Sequence, residues 1–437
     1  MQSEKVRPDE HAELSEVIFE RGAIRGRITV PGDKSISHRA LLIAAKSSER
    51  TTILNLNPGL DVAATSIALR AIGTQITGDT QRTDLRGGDL HSPGMTVDCM
   101  NSGSTARMFM GVCAGAALKA QLNGDVSLRR RPIEPVAAQL RAFGARIETS
   151  QGKLPATIRG CARVQSRRFI LIEPSAQVKS ALLLAGLFAE KSITVTADQG
   201  SRDHTERMLQ FLGADIRFDR QAVHYEPGPI FSRTLHIPGD FSAAAFFIVA
   251  AAIAPHSELL IEDVGLNPTR TGLLDALRQM GADIVIGQES NRCGEPIGNV
   301  TVRSSPLRAI SIGPELALRA IDEILALAVA CACAQGTSTI SGIRVLRSKE
   351  SDRIDAIGRI LQAVGVEVQT ARNGITIHGG KPSATDRIVK SHEDHRTVMA
   401  VATLACAAGP LRIDDASPVA TSFPDFIATL GRAQSVR

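Results

Sequence analysis

The sequence predicts an α/β protein of two domains built from six copies of one structural unit. Three observations carry that expectation: the chain length, a glycine-marked segment that returns about every 70 residues, and a series of apolar helices running in step with it. At 437 residues, with 43% hydrophobic and 22% charged side chains, the chain exceeds one ordinary core and is neither disordered nor membrane-like.

The glycine-marked segments read RAIGTQI, RAFGARI, QFLGADI, RQMGADI and QAVGVEV, with a degenerate sixth, ATLGRAQ. Their glycines are Gly73, Gly144, Gly213, Gly281, Gly365 and Gly431. Each is expected to close an amphipathic helix with a left-handed cap before the chain enters a strand. One such match would be ordinary α/β punctuation; six in phase argue for a repeat.

The paired apolar segments are GDKSISHRALLIAA, NSGSTARMFMGVCAGA, PSAQVKSALLLAGLFA, GDFSAAAFFIVAAAIA, ALRAIDEILALAVACACA and HEDHRTVMAVATLACAAG. Being apolar all round, these helices belong at the centre, with the Gly-capped ones outside them or against sheets. Alternating stretches such as ARIETS, ATIRG, DIVIG and GITIHG read as strands.

Composition removes several function classes. The longest apolar stretches, Phe241 to Pro255 and Ile324 to Ala334, fall short of the roughly 20 residues that span a bilayer, so they read as buried helices. The acidic N-terminal segment lacks an apolar export signal, which leaves a cytoplasmic location as the expectation, and the first ~15 residues are expected to fray. Seven cysteines without a CxxC pair suggest neither a disulfide framework nor a zinc site. A net charge of +5, one Tyr and no Trp are poor equipment for binding nucleic acid. Arg outnumbers Lys roughly fourfold, and Arg suits forked contacts with carboxylate and phosphate. No GxGxxG, Walker, HExxH or GxSxG motif stands in its required context, which points to small anionic substrates handled by side chains without cofactor or metal.

The chemistry concentrates where polar loops enter the apolar helices, because a helix N-terminus offers unpaired N–H groups and a positive dipole end. PGDKSISHR brings Lys34, Ser35 and Arg39 together, and NSGSTAR brings Asn101, Gly103, Ser104 and Arg107. Taken alone, either loop could be merely a cap. SAQVKS adds Ser175, Gln177 and Lys179, and SRDHTER adds Ser201 and Arg202. AIDEI reverses the sign: Asp322 and Glu323 precede a strongly apolar helix, where partial desolvation would raise a carboxylate pKa and make a proton acceptor. The bland alternative is that both acids simply favour the helix dipole. RSKESDR gathers Arg347, Lys349, Glu350, Asp352 and Arg353, and HEDHR supplies Asp394, His395 and Arg396. The start at Asp240 carries little else polar and is expected to belong to a hinge.

As a set, GDKSISHRA, NSGSTAR, RRRPI, SAQVKSALLLAG, SRDHTE, NPTRTG, RSKESDR, EDHR and TSFPDF resemble the motifs of the 3-phosphoshikimate 1-carboxyvinyltransferase (EPSP synthase) family, in order, from about residue 20 onward. The resemblance implies transfer of the enolpyruvyl group of phosphoenolpyruvate to the 5-hydroxyl of 3-phosphoshikimate, on the route to chorismate and the aromatic amino acids. It implies a two-domain inside-out α/β barrel of six βαβαββ units, three per domain. The upper domain would run over 33–237 and the lower over 1–32 and 238–437, so that the chain crosses the hinge twice.

The resemblance also assigns residues. Shikimate 3-phosphate would be held by Lys34, Ser35, Arg39, Ser175, Ala176, Gln177, Ser201, Arg202, Asp322 and Lys349. Phosphoenolpyruvate would contact Lys34, Asn101, Gly103, Arg131, Gln177, Arg353 and Arg396. Asp322 would act as base at the 5-hydroxyl and Glu350 as acid at C3, with Lys34 neutralising developing charge and His395 positioning Glu350. The implied protein is a monomer with no nucleic-acid or membrane partner. Ala176 and Thr421 depart from some members, which have Ser and Lys there. SAQVKSA and SRDHTE resemble the divergent bacterial subgroup often associated with glyphosate tolerance, but Gly103 stands where an Ala crowds the inhibitor in tolerant members, so glyphosate is expected to fit. A related transferase acting on UDP-N-acetylglucosamine is the nearest alternative, but it typically has Lys-Asn at Lys34-Ser35 and a catalytic-loop Cys without a convincing counterpart here. A non-catalytic anion- or RNA-binding module is the other, opposed by the acids among the cations.

Overall fold

The computed structural model describes residues 16–436 apart from 162, 166, 198 and 199. The expected fraying of the N-terminal segment therefore lies outside the described residues.

The six apolar segments form six core helices: Lys34–Ala44, Gly103–Gly115, Ala176–Ala189, Phe241–Ile253, Ile324–Cys333 and His395–Ala408. Five begin with a side-chain cap, in which Asp33, Ser102, Ser175, Asp240 or Asp394 accepts from a backbone N–H of the first turn. These caps satisfy donors that the helix itself cannot. In the fourth and fifth core helices every residue except the last is buried. That is why neither has a polar face, and each large apolar side chain so buried contributes about 1.5–3 kcal/mol. The second and third core helices pack backbone to backbone: a Cβ at Gly111 would lie 2.2 Å from the Ala181 carbonyl oxygen, and one at Gly115 2.3 Å from that of Ala185.

Two hydrophobic cores result. One is drawn from residues 36–237, the other from 19–30 and 241–433. The chain passes between them at Gly32 and Gly239, which face each other in an isolated bridge. Asp33 N–H donates to Pro238 O at 2.7 Å and Asp240 N–H to Pro31 O at 2.8 Å. A Cβ on Gly32 would sit 1.9 Å from the Asn55 carbonyl oxygen, so a side chain cannot be accommodated at this crossing. The strands flanking the crossings are exchanged. Arg25–Thr29 pairs in parallel with Glu258–Gly265, and Leu235–His236 pairs in parallel with Thr51–Leu54.

Five sheets among the described residues have four strands and one has three. A representative order is Val97–Asp98, Lys119–Asn123, Lys153–Arg159, Arg146–Ser150, with a parallel first pair and antiparallel remainder. The three-stranded sheet joins Val17–Phe19 to Leu411–Ile413 and Ile388–Val389, so an N-terminal strand does rejoin the C-terminal half. Gly73, Gly144, Gly213, Gly281 and Gly365 all have positive φ at the ends of helices, as their spacing predicts. Gly431 corrects the series: it lies inside the helix Phe426–Ser435, four residues before the helix ends, and so caps nothing.

Candidate active site

The polar starts of these helices meet between the two cores. Lys34 opens the first core helix, its N–H donating to Asp240 Oδ2 at 3.0 Å. Its ammonium donates to Asp61 Oδ2 at 2.6 Å. Asp240 therefore ties the crossing to the start of the first core helix. Beside it Asp33 and Arg270 approach to 3.4 Å, and Arg270 also lies 3.4 Å from Glu323. Glu323 thus belongs to this buried brace at the crossing, while Asp322 faces the site.

Arg39 is buried and donates to Thr205 Oγ1 at 2.8 Å, Ser35 O at 2.9 Å and Ser180 Oγ at 2.9 Å. Burial pushes its pKa down to about 10, and three of its five N–H donors are already used, one on the Ser35 backbone and two on the Thr205 and Ser180 hydroxyls. Gln177 is engaged on both amide atoms: Oε1 accepts from Arg107 Nη1 and Nε2 donates to Ser104 Oγ, each at 3.0 Å. Ser175 caps the third core helix and Ala176 is its first residue, while Lys179 pairs with buried Glu206 at 2.5 Å. A Cβ on Gly103 would lie 2.6 Å from Arg107 Nη1 and 3.4 Å from Arg131 Nη1, so this glycine keeps the space before two guanidinium groups open.

Among the ion pairs that cross from one core's segments to the other's, two stand at the mouth of this site. Arg131 Nη1 lies 3.2 Å from Glu350 Oε1, and Arg202 Nη2 lies 2.5 Å from Asp322 Oδ2. Arg131 also donates to the Asn101 carbonyl oxygen at 2.6 Å and to its side-chain oxygen, which fixes the Asn101 amide against Asp125 at 2.7 Å. On the other side Asp322 receives Lys349 at 3.3 Å and Arg353 at 3.5 Å, and its carbonyl accepts from Arg396 Nη1 at 2.7 Å. Arg353 is the hub, buried and donating to Asp394 at 2.9 and 3.2 Å and to Glu350 at 2.7 Å. A cleft of ≈ 590 Å³ opens onto Arg131, Lys349 and Glu350.

These cations decide the protonation states. Burial alone would raise the Asp322 carboxyl, as the sequence led one to expect, but Arg202, Lys349, Arg396 and Arg353 outweigh it and hold the group well below the usual carboxylate range. That corrects the expected direction. Glu350 behaves alike: burial pushes it up, and Arg353, Arg131 and Lys34 bring it well below. His395 is buried at the start of the sixth core helix, and burial followed by the Lys34 charge keeps it neutral, despite Asp394. Its Nδ1 lies 3.9 Å from Asp394 Oδ1; a hydrogen bond to Glu350 is absent among the described residues.

Two members of the 347–353 cluster turn out to be structural. Arg347 pairs with Asp352 at 2.7 Å and donates to Arg372 O and Ala371 O, while Asp352 caps the helix Arg353–Ala363. Ser35 and Ser201 are half-buried beside Lys34 and Arg202. Sequence reasoning missed Asp61, Glu206 and Arg270. A first-turn acid such as Asp61 looks like any dipole-favouring residue, whereas Arg270, within NPTRTG, stood in a recognisable motif. Groups of His, Cys, Asp and Glu able to hold a metal are absent among the described residues, and none of the described helices is long and apolar enough to cross a membrane.

The family model described as EPSP synthase (3-phosphoshikimate 1-carboxyvinyltransferase) matches residues 19–430. The curated 3-phosphoshikimate 1-carboxyvinyltransferase of Geobacillus kaustophilus is 44% identical over 417 residues, covering 93% of this chain and 97% of that protein. That of Gloeobacter violaceus is 43% identical over 420 residues, covering 94% and 97%. Among solved structures, EPSP synthase from Acinetobacter baumannii superposes with a TM-score of 0.84 at 36% identity, covering 96% of this chain and 98% of that one. The enolpyruvyl transferase NikO from Streptomyces tendae, at 17% identity and a TM-score of 0.75 over 95% and 96% of the two chains, shares the fold. With matches spanning nearly its whole length, the chain belongs to the EPSP synthase family.

Proposed function

We propose that this chain works as a 3-phosphoshikimate 1-carboxyvinyltransferase through the site between its two cores, moving the enolpyruvyl group of phosphoenolpyruvate to the 5-hydroxyl of 3-phosphoshikimate and releasing phosphate. The observation that carries the reading is a pair of carboxylates, Asp322 and Glu350, framed by Arg131, Arg202, Lys349, Arg353 and Arg396. Substrates that together bring two phosphates and two carboxylates would replace those carboxylates as partners of the cations.

That exchange supplies the chemistry. Asp322, ionised in the free protein, takes the proton of the 5-hydroxyl as its oxygen bonds to C2 of phosphoenolpyruvate. Glu350, after taking up a proton from solvent as substrate binds, delivers it to C3. It can do so because an anion seated on Arg131, Arg353 and Lys34 removes the charges that hold Glu350 ionised, so its pKa climbs when substrate binds. The tetrahedral intermediate then loses phosphate as the methyl carbon returns that proton to the Glu350 carboxylate, which regenerates the C=C bond and forms the enol ether. Lys34 and Arg396 offset charge developing on the leaving phosphate. His395, neutral and buried, acts on Glu350 through its position rather than as an acid.

Shikimate 3-phosphate binding is assigned to Lys34, Ser35, Arg39, Ser175, Ala176, Gln177, Ser201, Arg202, Asp322 and Lys349. Phosphoenolpyruvate binding is assigned to Lys34, Asn101, Gly103, Arg131, Gln177, Arg353 and Arg396. The architecture is an inside-out barrel of six βαβαββ units, with 33–237 as the upper domain and the rest as the lower, supported by the two cores and the exchanged strands. Closure of the two domains completes the site in a cytoplasmic monomer. Phosphate release measured with phosphoenolpyruvate and either shikimate 3-phosphate or UDP-N-acetylglucosamine tests the reading: turnover with the first alone is expected, and turnover with the second would overturn it.

A further inference from the structure

One hairpin departs from the repeat. Its strands, Asp283–Arg292 and Glu295–Arg303, run to 10 and 9 residues, whereas the matching hairpin in the next sheet has strands of 5 and 6. The surplus length carries the tip onto the other core. Arg207 Nη1 donates to Gly294 O at 3.1 Å, and His236 N–H donates to the Cys293 thiol at 3.2 Å. Gly294 has φ +83, and a Cβ there would lie 2.9 Å from the Arg207 carbonyl oxygen, so the contact requires glycine twice over.

Behind the tip lies a buried polar cluster that the proposed mechanism does not use. Glu295 Oε1 stands 2.7 Å from His204 Nδ1. Asn267 Nδ2 donates to Glu295 Oε2 at 2.9 Å and to Asp203 Oδ1 at 2.7 Å. The Asn267 amide cannot be reversed, because its Oδ1 accepts from the Thr269 N–H at 2.9 Å and hydroxyl at 2.7 Å. Glu295, Asn267 and His204 are each at least nine-tenths buried. A buried polar cluster of this kind adds little net stability over apolar packing, but it fixes one geometry.

The geometry it fixes is that of Arg202. Asp203 and His204 follow Arg202 directly, and both are gripped from the opposite core while Arg202 itself reaches Asp322 at 2.5 Å, also on that side. We infer that Glu295 and Asn267 are positioning residues for Arg202: the hairpin arm sets the backbone from which this guanidinium meets Asp322 and, on the reading above, shikimate 3-phosphate. Neither residue touches substrate. Their influence passes through Asp203 and His204.

The test is a double-mutant cycle read in Michaelis constants on the full chain. Glu295→Gln keeps the shape but presents an amide donor to the Asn267 amide. It is expected to raise the KM for shikimate 3-phosphate about tenfold while kcat and the KM for phosphoenolpyruvate stay within about twofold. In an Arg202→Ala background the same change should add less than about twofold. Equal rises in both Michaelis constants, or the full effect surviving in that background, would overturn the inference and leave a merely structural brace. Should Glu295→Gln fail to fold, Asn267→Ser removes the shared donor and is read in the same way. Arg202→Ala alone tests the underlying assignment: an unchanged KM for shikimate 3-phosphate sinks both it and the inference, whereas a raised KM with additive effects sinks the inference alone.

Discussion

Arg131 Nη1 lies 3.2 Å from Glu350 Oε1, joining a segment anchored in one core to the 347–353 cluster anchored in the other. Arg131 is buried, so removing it leaves Glu350 with Arg353 as its remaining close cation and, on the proposed assignment, takes away a contact to phosphoenolpyruvate. Arg131→Ala is expected to raise the KM for phosphoenolpyruvate by about tenfold or more, with the KM for shikimate 3-phosphate much less affected. Steady-state kinetics with each substrate varied in turn decides it.

Stability should fall with acid in two stages, and the signs follow from the shifts. His38 and His395 are held neutral, mainly by burial, so the unfolded chain takes up protons that the folded one refuses once pH drops below about 6.5. Asp322, Glu350 and Asp394 are held low against burial by their cations, so their contribution is complete above about pH 4 and is lost as pH falls through their folded values. Calorimetric Tm values from pH 8 to 3 should decline gently and then steeply. A Tm that rises on acidification through either window contradicts the assignment.

Much of this fold could be read from the sequence because the repeat couples two local rules, a left-handed glycine at a helix end and an apolar helix after a polar cap. Gly73 through Gly365 obey both. Gly431 satisfied the pattern of letters without its physical reason, since it stands inside a helix and not at the end of one. The site was legible where residues stand in motifs, as Lys34, Arg202 and Arg353 do. It was hidden where the chemistry depends on partners distant in sequence: Asp61 for Lys34, Glu206 for Lys179, Glu295 for His204. The depression of Asp322 was missed for the same reason. Burial can be guessed from one apolar helix, whereas four converging cations from three segments cannot.

The glycines offer a paired test of packing. Gly431 sits in a helix with open space around its Cβ position, so Gly431→Ala should raise stability by up to about 1 kcal/mol. Gly111→Ala gains the same helix propensity but drives a Cβ to 2.2 Å from the Ala181 carbonyl oxygen, and should cost about 1–3 kcal/mol. Opposite shifts in Tm are expected; shifts of the same sign would mean that the second and third core helices part easily.

Gly103 governs space before Arg107 and Arg131, and a methyl there meets only the ends of flexible side chains. Gly103→Ala should therefore fold normally yet weaken glyphosate more than phosphoenolpyruvate. For the wild type, an inhibition constant far above the KM for phosphoenolpyruvate would reject the expectation that glyphosate fits the site.

The central claim is that Asp322 and Glu350, ionised among cations in the free protein, exchange protons with the reactants once substrate anions take those cations. Phosphate release from shikimate 3-phosphate and phosphoenolpyruvate by wild type, Asp322→Asn and Glu350→Gln tests it most directly. Each variant should lose about 10²–10⁴-fold in kcat, the usual worth of a positioned acid or base. Undiminished turnover in both would contradict the account.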